Sequence, residues 1–169
     1  MSALEEKEVI ERLRQRVGAD NVSDVSIPRA RRIFLRLPSS VLREAVRYLA
    51  QEEAFVHLST ISGVDVGDAI EVVYHLSRGG ADLPAKAGIE LSLKVRLSRD
   101  EPSLPTLTDV IPGSVLYERE VHDLLGVVFE GHPDLSPLVL PEGWPAHVKP
   151  LRKEWTIERI REEITKVMP

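Results

Sequence analysis

The chain has 169 residues, of which 43% are hydrophobic and 29% charged, which is enough for one domain with a substantial buried core. Its formal net charge of −5 lacks the clustered positive charge that binds nucleic-acid phosphates, so we predict no nucleic-acid partner. The absence of cysteine excludes disulfides, thiolate nucleophiles and iron–sulfur clusters held by the usual thiolate ligands, so any redox centre must belong to another chain.

The first helices and strands follow from apolar spacing. A helical period predicts one helix that ends at Gly18 and a second that begins at Ser39. Between them, alternation predicts strands over 22–27 and 33–37, joined by a turn at Pro28. The apolar residues that share a helical face are Val9, Ile10, Leu13, Val17, Leu42, Val46 and Leu49.

From residue 55 the hydrophobic period changes to two, which predicts strands over 55–64, 70–76 and 89–97. Gly67-Asp68 is the predicted turn between the first two, and Gly79, Gly80 and Pro84 are placed in the loop before the third. The fold class is therefore α+β: a two-layer sandwich with one mixed or antiparallel sheet and helices on one face.

After Asp100 prolines interrupt any long helix or strand, although residues 114–125 predict a short helix that Gly126 ends. We predict three parts: an α+β domain at 1–100, an extended partner-binding segment at 101–155, and a C-terminal helix at 156–169.

Residues 126–155 combine five prolines with eleven aromatic or branched apolar residues, without a helical or strand period. A disordered linker is poor in such residues, so this segment needs a surface to lie on. Prolines stiffen it and lower the entropy lost on binding. We favour a partner protein over the chain's own sheet as that surface.

The last helix carries Ile157, Ile160, Ile164 and Val167 on one face. That stripe is compatible with two interpretations, packing on the domain's own core and contact with a neighbouring chain.

The sequence contains no nucleophile elbow, phosphate loop, dinucleotide fingerprint or cysteine-pair metal motif. Glu118 and His122 lie four residues apart on the predicted helix, as do Arg119 and Asp123. General-base chemistry is one interpretation of these pairs, and helix-surface pairing or partner contact is the one we favour, because no nucleophile or oxyanion donor accompanies them.

A second chemical hypothesis is a metal site, since His122, His132 and His147 with Asp134 are residue types that bind zinc. Their spacing matches no compact metal motif, so we predict no metal-binding residue. His57 and His75 fall within predicted strands, where packing or surface roles are expected.

Two groups of basic residues are present: Arg29, Arg31, Arg32 and Arg36, and more loosely Lys149, Arg152 and Lys153. A solvated face is the simplest interpretation, and an acidic patch on a partner subunit is the functional alternative.

The segment from Tyr117 to Leu135, which reads YEREVHDLLGVVFEGHPDL, resembles the signature of the C or 30 kDa subunit of NADH:quinone oxidoreductase (respiratory complex I). The resemblance includes the equivalent subunits of membrane-bound [NiFe]-hydrogenases and related archaeal respiratory complexes. Further matching segments are 73–76, 93–95, 106–109, 140–144 and 150–154.

The chain departs from the family pattern at Leu116-Tyr117, at Ser136-Pro137 and at the extra Val148-Lys149. These departures, together with the short length, favour the hydrogenase and sulfur-reductase branches of the family.

The resemblance implies a subunit without a catalytic, cofactor-binding or metal-binding site of its own. Its tail would pack on the large subunit related to the [NiFe]-hydrogenase large subunit, beside iron–sulfur subunits and indirectly the membrane arm. Iron–sulfur clusters, and in a hydrogenase a NiFe centre, would belong to those partners. The implied partner contacts are Glu118, Arg119, Asp123, Gly126, His132, Pro133, Asp134, Trp144, Leu151, Arg152 and Lys153.

The N-terminus has no basic region followed by an apolar stretch, and no uncharged apolar run approaches the roughly 18 residues of a spanning helix. We therefore expect a cytoplasmic chain, held at the inner face of the cell membrane through its complex. Two alternatives stay open: a small metal-assisted hydrolase that uses His122, His132 and Asp134, and a soluble adaptor outside respiration.

Overall fold

The computed structural model describes residues 2–78 and 88–167. The helices are α1 (Ser2–Val17), α2 (Ser39–Glu52), α3 (Ser114–Leu125) and α4 (Ile157–Val167). The strands are β1 (Ser23–Arg29), β2 (Arg32–Arg36), β3 (His57–Asp65), β4 (Ala69–Ser77), β5 (Glu90–Ser98), β6 (Ser103–Pro105) and β7 (Val128–Glu130). The predicted loop with Gly79, Gly80 and Pro84 lies outside the described residues.

Five strands form one mixed sheet in the order β1-β2-β5-β4-β3. Strands β2 and β5 are parallel, and the other neighbours are antiparallel. The short strands β6 and β7 form a separate parallel pair, with α3 as the connection between them. The predicted α+β class with a mixed sheet is confirmed.

The alternation of residues in the central strands separates a buried face of the sheet from a polar one. Tyr74 of β4 lies opposite Leu93 of β5, and both are fully buried. The next pair along these strands is Val73 and Lys94, on the other face. Apolar residues from α1, α2 and α3 join the buried face in one hydrophobic cluster, as predicted for a sandwich with helices on one face.

The hydrophobic core continues beyond residue 100. Leu104, Leu107, Val121, Val127 and Phe129 are all buried in the same cluster as the five-stranded sheet. The predicted domain boundary at residue 100 therefore falls inside one core. Only after β7 does the chain leave this core, and residues 131–156, which contain turns but no helix or strand, are called the ribbon below.

Helix α3 packs on β3 at a position that has no side chain. A Cβ atom on Gly63 would lie 2.3 Å from Leu125 Cδ1 and 3.3 Å from Val121 Cγ1. Real Cβ atoms essentially never approach a neighbour under 3.0 Å, so either the helix or the leucine would have to shift. Glycine at this position thus fixes how closely α3 approaches the sheet.

Substitution Gly63→Ala should lower the free energy of unfolding by about 1–3 kcal/mol, because it overpacks the contact between α3 and β3. Chemical denaturation followed by circular dichroism measures this. The matched control is Gly113→Ala, since Gly113 has an ordinary helical φ of −63° and no atom within 4 Å of the position that an added methyl group would take. The control should stay within about 0.5 kcal/mol of the wild type, and equal losses in both variants would contradict the close approach.

Candidate functional site

The C-terminal end of α3 is bound by the ribbon. The last carbonyl groups of a helix have no partner within the helix and need outside donors. Three donors from the ribbon supply this need. They are Lys149 Nζ to the carbonyl of Asp123 at 3.3 Å, Leu151 N to Leu124 at 3.2 Å, and Arg152 Nε to Leu125 at 2.7 Å. Two of the three are cationic, which suits the partial negative charge of a helix C-terminus.

Gly126 ends α3 in a left-handed conformation with φ of 76°, and its N–H donates to the carbonyl of His122 at 2.8 Å. The ring of His122 donates from Nδ1 to the carbonyl of Val127 at 2.8 Å. A side chain at position 126 would meet Arg152 Nη2 at 3.3 Å. The glycine therefore both turns the chain and leaves room for the arginine that caps the helix.

The carboxylate of Asp123 binds the first half of the ribbon. Its Oδ2 accepts the backbone N–H groups of Leu138, Val139 and Leu140 at 3.1, 2.9 and 2.9 Å. Burial of this residue opposes ionisation, but the three N–H donors outweigh it and hold the pKa of Asp123 below its ordinary value. A charged aspartate thus fixes three consecutive peptide groups against α3.

Arg119 holds the preceding turn of the ribbon. Its guanidinium donates to the carbonyl of Ser136 at 3.0 Å, to Ser136 Oγ at 3.0 Å and to the carbonyl of Pro137 at 2.9 Å. Asp134 accepts the N–H of Ser136 at 2.8 Å and lies 3.7 Å from Arg119 Nη1. Of these acceptors only Ser136 Oγ depends on the departure from the family pattern, because the other two are backbone carbonyls.

Asp65, at the end of β3, binds the far end of the ribbon. Its carboxylate accepts the N–H of Lys153 at 2.9 Å and of Gly67 at 2.8 Å, and also pairs with Arg99. Burial opposes ionisation of Asp65, yet these donors lower its pKa to about 2. Arg99 in turn pairs with Glu154. Sequence patterns gave no signal for Asp65 or Arg99, because both lie far from the ribbon along the chain.

Glu118 and His132 form a buried polar pair beneath the ribbon. Glu118 accepts hydrogen bonds from Thr106 Oγ1 at 2.5 Å and from the N–H of Leu107 at 2.8 Å. The His132 ring donates from Nε2 to the carbonyl of Val115 at 3.0 Å and accepts the N–H of Asp134 at Nδ1. Burial raises the pKa of Glu118 above its ordinary value, although its donors partly offset the rise.

The hydroxyl group of Tyr74 is buried and has no hydrogen-bond partner among the described residues. Burial, with the negative charge of Glu118 as a further cause, raises the pKa of Tyr74 well above its ordinary value.

Three apolar side chains of the ribbon point away from the domain. Leu138, Val139 and Leu151 are 41%, 53% and 54% exposed, although their backbone N–H groups bind α3. Buried side chains of the ribbon are few, and Val148, whose carbonyl accepts Trp144 Nε1 at 2.9 Å, is one of them. The ribbon therefore presents a fixed apolar surface to its surroundings.

Helix α4 continues that surface. None of its residues is buried, and Ile157 is 71% exposed. The side chain of Glu163 accepts a hydrogen bond from His147 at 3.1 Å, which ties the helix to the ribbon. The interpretation of α4 as the closure of the chain's own core is therefore wrong, and its apolar stripe is available to a neighbour.

The predicted partner-contact residues fall into two groups. Glu118, Asp123 and the side chain of His132 are buried and bonded within the chain, which corrects their assignment as partner contacts. Asp123 and His132 hold the ribbon in shape, whereas Glu118 binds Thr106 and Leu107 in the interior. The residues that reach the surface fully or in part are Arg119, Gly126, Pro133, Asp134, Trp144, Leu151, Arg152 and Lys153. Contact of this second group with a partner stays a prediction.

The three residues of the hydrolase hypothesis do not come together in one site. His122, His132 and Asp134 each bind a different backbone group. Within residues 2–78 and 88–167, no cluster of three or more His, Cys, Asp or Glu side chains is arranged to hold a metal ion. In the same part of the chain no helix has the length and apolar character needed to cross a bilayer.

Two arginines of the basic run near β2 pair closely with acidic side chains on the sheet. Arg32 pairs with Glu90, and Arg36 lies 3.1 Å from Glu71 and 2.5 Å from Asp24. This arrangement agrees with a solvated, internally paired face, and an acidic patch on a partner is not needed to balance it.

Comparison with known proteins relates this geometry to one family. Residues 35–160 match the family model of the respiratory-chain NADH dehydrogenase 30 kDa subunit. The C subunit of the F420H2 dehydrogenase of Methanosarcina mazei is 36% identical over 140 residues, which cover 79% of this chain and 82% of that protein. The C/D subunit of the NADH-quinone oxidoreductase of Methylococcus capsulatus is 35% identical over 132 residues, 71% of this chain but only 21% of that longer protein.

A solved structure is similar over nearly the whole chain. It is a chain of the membrane-bound sulfane sulfur reductase, described as an archaeal respiratory membrane complex. The TM-score is 0.79 at 25% identity, and the alignment covers 98% of this chain and 94% of that one.

Substitution Asp65→Asn should lower the free energy of unfolding at pH 7 by about 1–3 kcal/mol, because it weakens hydrogen bonds to a buried charge. The folded pKa of Asp65, about 2, lies below its ordinary 3.8, so its contribution is complete above pH 4 to 5. That contribution is lost as the pH falls toward 2. Denaturant titrations from pH 7 to 2.5 should give a shallower acid loss for this variant than for the exposed Asp20→Asn control, and parallel curves would contradict the assignment.

Substitution Glu118→Gln should have the opposite pH signature. A raised folded pKa means that protonation of Glu118 stabilises the fold. The free energy of unfolding of the wild type therefore falls as the pH rises from the ordinary pKa of glutamate, 4.5, to above the raised pKa of the folded state. Glutamine removes this loss and should lie within about 1 kcal/mol of the wild type at pH 8. Glu118→Ala, which leaves the Leu107 N–H without its acceptor, should lose about 1–3 kcal/mol. A large loss in the glutamine variant at pH 8 would refute this account.

Proposed function

Because the chain belongs to the family of the respiratory-chain NADH dehydrogenase 30 kDa subunit, we propose that it is an assembly subunit without a catalytic site of its own. It is a subunit of a complex I-type or related respiratory complex. In our proposal it docks on the hydrogenase-like large subunit of that complex, through the ribbon and α4.

The observation that carries this proposal is the orientation of the ribbon. Its backbone is fixed to the domain by Asp123, Asp65 and the end of α3, while Leu138, Val139 and Leu151 face outward. A polar inside and an apolar outside is the reverse of what a free surface loop needs. Because the segment is already ordered, a partner that covers it loses little conformational entropy on binding.

The choice of partner is supported by a relative in which the C and D subunits are joined in one polypeptide. The Methylococcus capsulatus relative carries both the C and the D designation in its name, and the part similar to this chain is about a fifth of it. Two subunits that are carried on one polypeptide are held near each other by the linker between them. We therefore take the large subunit, D, as the nearest neighbour of this chain in its own complex.

A role outside substrate chemistry is supported by the range of related complexes. The names of the similar proteins refer to F420H2, to NADH and quinone, and to sulfane sulfur. A subunit that recurs while the substrate changes fits a structural task better than contact with the substrate. In our proposal the iron–sulfur clusters, and any NiFe centre, lie in the partner subunits, and this chain sits on the cytoplasmic side of the membrane.

The double substitution Leu138→Ser with Val139→Ser should weaken assembly without unfolding the chain. It removes outward apolar area but leaves the backbone N–H groups that bind Asp123. Loss of two such contacts corresponds to about 2 kcal/mol of binding free energy, or about thirtyfold in Kd. Purification of the native complex through a tag on this chain, followed by quantitative mass spectrometry, measures the recovered large subunit.

The matched control is Val56→Ser, because Val56 is 55% exposed but lies outside the ribbon. It should leave recovery unchanged, and both variants should keep the wild-type unfolding midpoint as isolated chains. Recovery of this chain without a hydrogenase-like large subunit would favour the soluble adaptor. Full assembly of the double variant with lost turnover would refute the docking role.

A further inference from the structure

The two edges of the five-stranded sheet differ in how they are protected. At one edge, β1 contains Pro28, which has no N–H, and its pairing with β2 is irregular in two places. At the other edge, β3 has nine residues, with no proline and no charged residue between His57 and Asp65. Exposed edge strands are usually protected by proline, charge or irregularity, because they pair readily with other chains. Strand β3 lacks these features from Thr60 to Val64.

The free backbone groups of β3 follow from its pairing with β4. Val66 donates its N–H to the carbonyl of Ala69 at 3.0 Å, and bonded and non-bonded pairs then alternate along an antiparallel ladder. Ile61, Gly63 and Asp65 are therefore the residues whose N–H and C=O groups point to the open edge. None of the three forms another backbone hydrogen bond within the described residues.

A groove of about 270 Å³ runs beside this edge. Residues 60–63 of β3 form one wall, Glu120 and Leu124 of α3 form a second, and Leu151 of the ribbon contributes a third. A strand added to a sheet lies about 4.8 Å from its neighbour, so one placed on β3 would occupy this groove. Extended peptides bind other proteins in this way, with backbone bonds for affinity and the facing wall for side-chain specificity.

The groove has one charged lining residue, Glu120, which is exposed and forms no ion pair in the described part of the chain. An occupant with a lysine or arginine at the facing position complements that charge. A second copy of this chain, paired through the same edge, would instead place a second Glu120 carboxylate near the first, and the two negative charges would repel each other. The groove is also continuous with the ribbon surface through Leu151, so a partner bound there can extend into it.

We infer that the free edge of β3 binds an extended segment of a partner subunit, which adds a sixth strand to the sheet and places a basic residue against Glu120. This inference rests on the proposed function, because it names the kind of segment that the docked partner inserts.

Residue-resolved hydrogen exchange in the native complex and in the isolated full chain tests the added strand. The amides of Ile61, Gly63 and Asp65 should exchange at least about tenfold more slowly in the complex, because they gain acceptors. The amides of Ser62 and Val64 bind β4 in both states and should stay slow, which makes them internal controls. Equal exchange of the three outward amides in an assembled complex would overturn the inference and leave the proposed function intact.

Site-specific crosslinking identifies the occupant, and because this chain has no natural cysteine, an introduced one is the only labelling site on the isolated chain. Thr60→Cys, at a position that lines the groove, is labelled with a maleimide photocrosslinker on the isolated chain. After the labelled chain is reassembled into the complex, it should give a crosslink to an extended, basic segment of a partner subunit. Ser26→Cys on the protected β1 edge is the control and should give none. A crosslink between two copies of this chain would overturn the partner assignment.

Charge reversal tests the role of Glu120. Glu120→Lys should raise exchange at Ile61 and Gly63 in the complex by about three- to tenfold, while the exposed Glu101→Lys control, away from the groove, should not. A complex that assembles with unchanged exchange in Glu120→Lys contradicts the charge match. Absence of this chain from any respiratory complex would refute the proposed function itself.

Discussion

The carbonyl groups at the end of α3 need hydrogen-bond donors, and the ribbon is the segment that supplies them. Because Gly63 fixes α3 close to β3, the position of those carbonyls is set by the sheet. Lys149, Leu151 and Arg152 must then follow the helix end, and the outward direction of the ribbon's apolar side chains is a consequence. The position of the ribbon and of its outward-facing side chains is thus set by the core through one helix terminus.

The acidic side chains that surround the ribbon differ in the direction of their pKa shifts. Asp65 and Asp123 accept several N–H groups, which favour the ionised form and lower their pKa values. Glu118 lies deeper, where burial dominates and raises its pKa. The first two carboxylates attach the backbone of the ribbon to the domain, and these hydrogen bonds are stronger when the carboxylates are charged. Glu118 binds Thr106 and Leu107 in the interior, where burial favours its neutral form.

Local patterns in the sequence predicted much of the fold. The bounds of α3 followed from its apolar period and from Gly126, and the strands from alternation. The pairing of Asp65 with Lys153 did not, because residues 88 positions apart leave no periodic signal. Burial of Glu118 and His132 was missed for a different reason: a polar residue within a family signature looks the same whether it faces a partner or the interior. The resemblance named the family, whereas coordinates were needed to separate the residues that hold the ribbon from those that face outward.

The contact between Asp65 and Lys153 also bears on synthesis by the ribosome. The sheet and α3 are complete once residue 130 has emerged, but the capping residues come about twenty positions later. A nascent chain released before that point would retain most of its folded core and yet lack an ordered interface. A product that ended at residue 130 would lack the outward-facing side chains of Leu138, Val139 and Leu151, through which we propose that the full chain docks on its partner.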